Sequence, residues 1–294
     1  DQQRRGFARC WTKHAPHALQ VCASMVTAGG QQAHLRLGDV DALYQRAVAQ
    51  LTAHLRELAR GLAHRLALAP SVDIPWSEVF GHEVTLAAPA VLFEAWPQAD
   101  GDPIKAGVLA HALAVIGAFA EDRIADGQVE CDAALSDLLT ALAVQRDLAC
   151  GTLVRDASVR FAKATELTER AIVHERALLC DVSQVSFADY ESVSLQKQQV
   201  GFCASLSLAD ALAVDDRARR DIHDALVGVA MGLQHHDDVL DWEDDWQNGG
   251  AWAMCLARRH AVWDAAWLRQ RRAADVRGAL LASGVLASMM AMAE

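Results

Sequence analysis

Gln234-His-His-Asp237-Asp238-Val-Leu-Asp241-Trp-Glu-Asp-Asp245-Trp246, followed by Gln-Asn-Gly-Gly, is the stretch from which the fold of this chain is read. Asp237, Asp241 and Asp245 recur at every fourth position, so in a helix their carboxylates leave one face with neighbours about 6 Å apart. Like charges at that spacing repel. Asn248-Gly249-Gly250 reads as a C-terminal stop, which sets the acids at the negative end of the helix dipole. A cation is expected there, and Mg²⁺ takes one or two carboxylates while filling its shell with water and phosphate oxygens. A solvated acidic helix end is the plain alternative. Val239, Leu240, Trp242 and Trp246 interleave with the acids and speak against it, because a solvated face does not collect two tryptophans.

Working outward, the 294 residues are 52% hydrophobic, enough for one large core, with two smaller domains as the alternative. Six prolines and a wealth of Ala, Leu and Arg favour helices. A net charge of −11 argues against a nucleic-acid surface, since phosphate binding needs basic stripes. Lysine occurs only at 13, 105, 163 and 197, so each one stands out. Seven scattered cysteines without a CxxC pair predict reduced thiols and a cytoplasmic setting. The uncharged runs 106–120 and 278–293 are too short for a bilayer span, so no stable membrane insertion is expected.

The periodicity predicts one all-α domain over residues 1–294. A helical pattern over 1–28 stops at Gly29-Gly30, and a long amphipathic helix is predicted from Val40 to Leu68. Ser71 to Asp102 is broken by prolines. Helices then follow over 103–126, 130–150, 152–182, 187–212, 215–247 and 251–292, the last broken near Ala274 or Gly278.

The helix over 103–126 ends in Glu121-Asp122-Arg123-Ile-Ala-Asp126-Gly127, a second pair of acids one turn apart at a helix end. Behind Asp122, Ala118, Phe119, Val115 and His111 fall on nearly the same face; behind Asp237 lies Leu233. An acidic rim over apolar walls suits a diphosphate head with a hydrocarbon tail.

These residues resemble the class I isoprenoid synthases, the all-α family of trans-prenyltransferases, terpene cyclases and head-to-head synthases. Asp237-Asp238-Val-Leu-Asp241-Trp-Glu-Asp-Asp245, preceded by Gln234, is similar to the second Asp-rich motif, and Asp122-Arg123-Ile-Ala-Asp126 to the first, with Arg123 in place of its second Asp. Tyr190-Glu-Ser-Val-Ser-Leu-Gln-Lys197 resembles the family's YxxMTxxK helix, 40 residues before Asp237. The resemblance implies a helical bundle with a central apolar cavity, with Asp122, Asp126, Asp237, Asp241 and Asp245 holding three Mg²⁺. It also implies that Lys197 and Gln234 meet an allylic prenyl diphosphate, and that Phe119, Ala118, Val115, His111 and Leu233 line the tail's lane. A homodimer is in keeping with it.

The branch implied is terpene synthesis. The family's acceptor pocket uses GGKxxRP and an Arg pair after the first motif, and here Gly29-Gly30-Gln31-Gln32 and Gly127-Gln-Val-Glu supply neither. Gly117 and Ala118 are small where related enzymes floor the pocket, so a C15 or longer substrate, C20 first, is expected. Chain elongation and head-to-head coupling are the enzymatic alternatives, the latter because Gln234, Asp237, Asp241 and Asp245 also fit QxxNxxxDxxxD apart from its Asn. Arg123 keeps open a non-catalytic helical partner subunit. A zinc site on His235, His236 and His260 is disfavoured, since adjacent helical residues point about 100° apart.

Overall fold

A computed structural model describes residues 35–293 except 82, 95, 97–100, 126, 181–184, 249 and 258–272. The helical pattern predicted over 1–28 lies outside the described residues. Among the described residues the structure is all-α, with no strand. They gather into two compact units: those up to Ala164 with Val200–His223, and Thr165–Gln199 with those from Asp224 onward.

The first unit opens with a correction. The single helix predicted from Val40 to Leu68 is three helices, α1 (Leu37–Ala49), α2 (Ala53–Arg60) and α3 (Leu62–Arg65). The apolar spacing that suggested one helix is real, for Leu43, Ala47, Leu62 and Leu66 are all buried. Thr52, however, takes extended backbone (φ −61°, ψ 157°) and turns the chain. A straight helix would hold positions 44 and 59 about 22 Å apart at 1.5 Å per residue. Instead the Tyr44 hydroxyl donates to the Ala59 carbonyl at 2.9 Å, folding α2 back along α1.

The proline-rich stretch forms α4 (Trp76–Phe80) and α5 (Glu83–Leu92). Helix α6 (Asp102–Ala125) follows, close to the span its Pro103 start and Gly127 stop predict. Gly127 takes the left-handed conformation (φ 68°), and the Gln128 N–H reaches the Arg123 carbonyl at 2.9 Å to close the helix. Helix α6 is apolar enough to span a bilayer by composition, yet 56% of its most apolar window is buried. It packs on α1, on α5 and on α7 (Ala133–Gly151). Its small residues Ala110, Ala114 and Ala118 meet Cys150 of α7, Phe161 of α8 (Ala157–Cys180) and Ala204 of α10 (Gln199–Ala211).

The predicted helix over 187–212 is split at Gln198 into α9 (Phe187–Lys197), which belongs to the second unit, and α10, which belongs to the first from Val200 onward. The one over 215–247 bends at Asp241 into α11 (Asp216–Leu240) and α12 (Trp242–Asn248). Hydrogen bonds from the Asp241 N–H to the Asp237 carbonyl (2.9 Å) and from the Asp245 N–H to the Asp241 carbonyl (3.0 Å) carry the helical spacing across the bend. The last segment is α13 (Trp252–Ala257), α14 (Ala273–Ser283) and α15 (Val285–Ala293); α14 runs through Gly278 and is parted from α15 at Gly284 (φ 74°), while residues 258–272 before Ala273, where a break near 274 was expected, lie outside the described ones. Trp242, Trp252, Leu256, Leu280 and Met289 form its core with Tyr190 and Val193.

Candidate functional site

The acidic stretch belongs to the second unit, and its aspartates separate by burial. Asp237, Asp241 and Asp245 are half-buried, whereas Asp238 is buried. A helical step of about 100° turns Asp238 away from the face its neighbour shares with Asp241. Its carboxylate accepts from the Tyr190 hydroxyl at 2.5 Å and from Gln234 Nε2 at 3.1 Å. Gln234 Oε1 in turn accepts from Gln198 Nε2 at 3.2 Å. Burial pushes the Asp238 carboxyl up to about 6, against the pull of these donors and of the Lys197 charge. Burial and the adjacent Asp238 charge raise Tyr190 as well. Asp238 is thereby committed inside the protein, and the outward acids keep the one-turn spacing.

Lys197 ends α9, and its Nζ donates to Glu175 Oε2 at 2.7 Å. Glu175 Oε1 accepts from Trp252 Nε1, also at 2.7 Å. Thr168 Oγ1 donates to the Lys197 carbonyl at 3.1 Å and so ties the end of α9 to α8. His235 packs its ring 5.3 Å from that of Tyr190, and burial lowers its pKa. Helices α8, α9, α11 and the start of α13 thus enclose one polar cluster of Glu175, Lys197, Tyr190, Gln234, Asp238 and Trp252.

Glu175, Asp238, Tyr190 and Trp252 are absent from the site expected on sequence grounds. For Glu175 a signal existed: Thr168, Ala171, Ile172 and Glu175 follow helical spacing, and all four are buried. A lone acid on the apolar face of a helix demands a partner.

Asp122 lies half-buried in the last turn of α6 in the first unit, and Asp126 is outside the described residues. Of the expected lane residues, His111 is fixed in the core, its Nδ1 3.0 Å from the Gly201 carbonyl and its Nε2 3.0 Å from that of Thr85. Burial lowers its pKa and outweighs both carbonyls. Ala118 packs into the small-residue cluster around Phe161, and Val115 is half-buried. Phe119, expected as a chamber wall, is 36% exposed, its ring edge-on to Phe80 at 4.9 Å. A Cβ placed at Gly117 would meet nothing within 4 Å. Leu233 is half-buried on α11 in the second unit.

Among the described residues no three His, Cys, Asp or Glu side chains stand close enough to hold an ion as they are placed. The donor set of Asp237, Asp241 and Asp245 nonetheless fits a hard cation, being all carboxylate oxygen at one-turn spacing. Of the histidines weighed for zinc, His235 is buried and His260 lies outside the described residues. An open polar hollow of about 420 Å³ lies in the first unit, lined by Arg65, Ala67, Gln128, Val129, Glu130 and Asp132, and none of these is a candidate acid. Searches against protein-family models, curated proteins and solved structures return no match for this chain.

Proposed function

We propose that the chain is a Mg²⁺-dependent class I terpene synthase that ionises an allylic prenyl diphosphate of C15 or longer and cyclises or rearranges the cation. The observation that carries this reading is the company of Lys197. The chain has lysine at only four positions, and this one sits in the same polar cluster as Gln234 and Asp238 of the acidic stretch. Asp122, Asp126, Asp237, Asp241 and Asp245 would hold Mg²⁺. Bound there, the metal supplies Lewis acidity toward the departing diphosphate. Lys197 adds positive charge where negative charge develops on the leaving oxygen. The tail length proposed, C15 or longer and C20 first, comes from the small residues Gly117 and Ala118 in the sequence.

The test is incubation with C10, C15, C20 and C25 allylic diphosphates and Mg²⁺, reading diphosphate release and product mass. A hydrocarbon or alcohol of unchanged carbon number is expected from C15 or C20. A product of double size or of added five-carbon units would transfer the chain to a prenyltransferase branch. A second reading, a non-catalytic helical partner subunit, is favoured by the pairing of Lys197 with Glu175 and by Arg123 within the first acidic pair. Absence of diphosphate release with every substrate would select it.

A further inference from the structure

We propose that His111 is a proton-operated clamp in the first unit. With a proton on each ring nitrogen it grips the Thr85 and Gly201 carbonyls together; after losing one it keeps Thr85 and accepts a hydrogen bond from the Ser205 hydroxyl instead. The clamp is independent of the proposed activity. A count of donors against acceptors carries it. Nδ1 lies 3.0 Å from the Gly201 carbonyl oxygen, and Nε2 lies 3.0 Å from that of Thr85. A neutral imidazole has one N–H, whereas the imidazolium has two. The arrangement around the ring is therefore the one the imidazolium satisfies, and a neutral ring in the same place would set a nitrogen lone pair against a carbonyl lone pair.

The sequence decides which carbonyl the neutral ring keeps. Pro89 lies inside α5, four residues after Thr85, and has no N–H to give the Thr85 carbonyl. The break shows at Ala87, whose backbone is non-helical (φ −122°, ψ 24°). Gly201 lies inside α10, where the Ser205 N–H is the ordinary helical partner of its carbonyl. Letting go of Thr85 is thus the costlier release, so the single remaining proton stays on Nε2. Nδ1 then needs a donor. Helical carbonyls point toward the C-terminus, which sets the Gly201 oxygen beside the turn of Ser205. Ser205 is fully buried, and its hydroxyl, free to rotate, makes no hydrogen bond in this arrangement. Burial favours the neutral ring by more than the Gly201 and Thr85 carbonyls favour the cation, so the exchange falls below pH 6.5. Glu83 opens α5, and of the described side chains neither Lys105 on α6 nor Cys203 or Asp210 on α10 is among those causes, nor is any on α1 or α7, which also pack on α6. Acid therefore fastens the Gly201 turn of α10 to α5 and α6, and neutral pH loosens it.

The experiment is an NMR titration of the full chain with nitrogen-labelled histidine rings, from about pH 8 to about pH 4.5, a range that brackets an ordinary imidazole. Wild type is compared with Ser205→Ala, Thr85→Val and Ser207→Ala, and His111→Gln identifies the resonance. At the neutral end the wild-type ring should carry its proton on Nε2, with Nδ1 as an acceptor. Ser205→Ala removes the donor that only the neutral ring uses, so it should move the titration midpoint up by about half to one pH unit, the worth of one hydrogen bond. Thr85→Val and Ser207→Ala remove hydroxyls that are also buried without a hydrogen bond, and should leave the midpoint where it is. A proton on Nδ1 at neutral pH overturns the clamp, as does a midpoint that follows Thr85 or Ser207 instead of Ser205. An unmoved midpoint in Ser205→Ala overturns it too, since a merely structural serine would change thermal stability equally at every pH and leave the ring alone. So does a wild-type ring that takes no second proton before the chain unfolds.

Discussion

At the residue scale, the decisive side chain is Asp238, because it is the acid of the motif that does not face outward. Tyr190 is fully buried and spends its hydroxyl on Asp238. Tyr190→Phe leaves that carboxylate with Gln234 as its remaining donor among those described above, and should cost about 1–3 kcal/mol in urea unfolding. In a double-mutant cycle with Asp238→Asn the two losses should couple by more than about 0.5 kcal/mol. Additive losses would mean that the short contact carries no energy. The outward acids were legible because a one-turn repeat of like charge contradicts ordinary helix stability. Glu175 escaped because its partners, Lys197 and Trp252, lie 22 and 77 positions along the chain. Periodicity reports which face a residue takes, and distant hydrogen bonds leave no trace in it.

At the element scale, helix stops were easier to read than helix breaks. After the acidic stretch, Gly250 closes the end of α12 as predicted: its N–H bonds the Asp245 carbonyl at 3.0 Å, with φ at 137°. A Cβ at Gly250 would lie 3.0 Å from Leu179 Cβ, so Gly250→Ala meets both strain and overlap and should destabilise by about 1–3 kcal/mol. Gly278 is the matched contrast, since it is exposed within α14 and its added Cβ meets nothing. Gly278→Ala should stabilise by about 0.5–1 kcal/mol. Thermal unfolding of the two variants side by side gives opposite shifts, and shifts of the same sign would contradict these backbone assignments. The breaks at Thr52, Gln198 and Asp241 were not foreseen. None carries a proline or a glycine, and leucines continue at helical spacing through the first of them. There the Tyr44 bond to Ala59 is what the fold gains by turning, a tertiary effect outside the reach of local pattern.

At the scale of the whole molecule, pH dependence brings two buried groups of opposite sign into one measurable curve. His111 is held below its ordinary 6.5 by burial, so the folded chain resists a proton that the unfolded chain accepts. Its contribution to stability is present above about 6.5 and is lost as pH falls. Asp210 acts in the same sense: burial pushes its carboxyl up, but hydrogen bonds from Arg160 and Arg219 outweigh this and hold it low, so its stabilisation is lost in acid. Asp238 works the other way. Raised from 3.8 to about 6, it binds its proton more tightly in the folded state, and its contribution shrinks as pH rises through 6. Measured with a chelator present to keep divalent ions out, wild-type stability between pH 7 and 5 therefore reports the balance of the His111 and Asp238 slopes, the Asp210 loss falling at lower pH. His111→Gln should flatten the loss on acidification, because the group that resents a proton is gone. Asp238→Asn should steepen it, because the group that welcomes one is gone. The two variants must bend the curve in opposite directions whatever each costs in absolute stability. Parallel curves for all three proteins would show that neither side chain is buried as drawn, and the polar cluster around Lys197 would lose its footing with them.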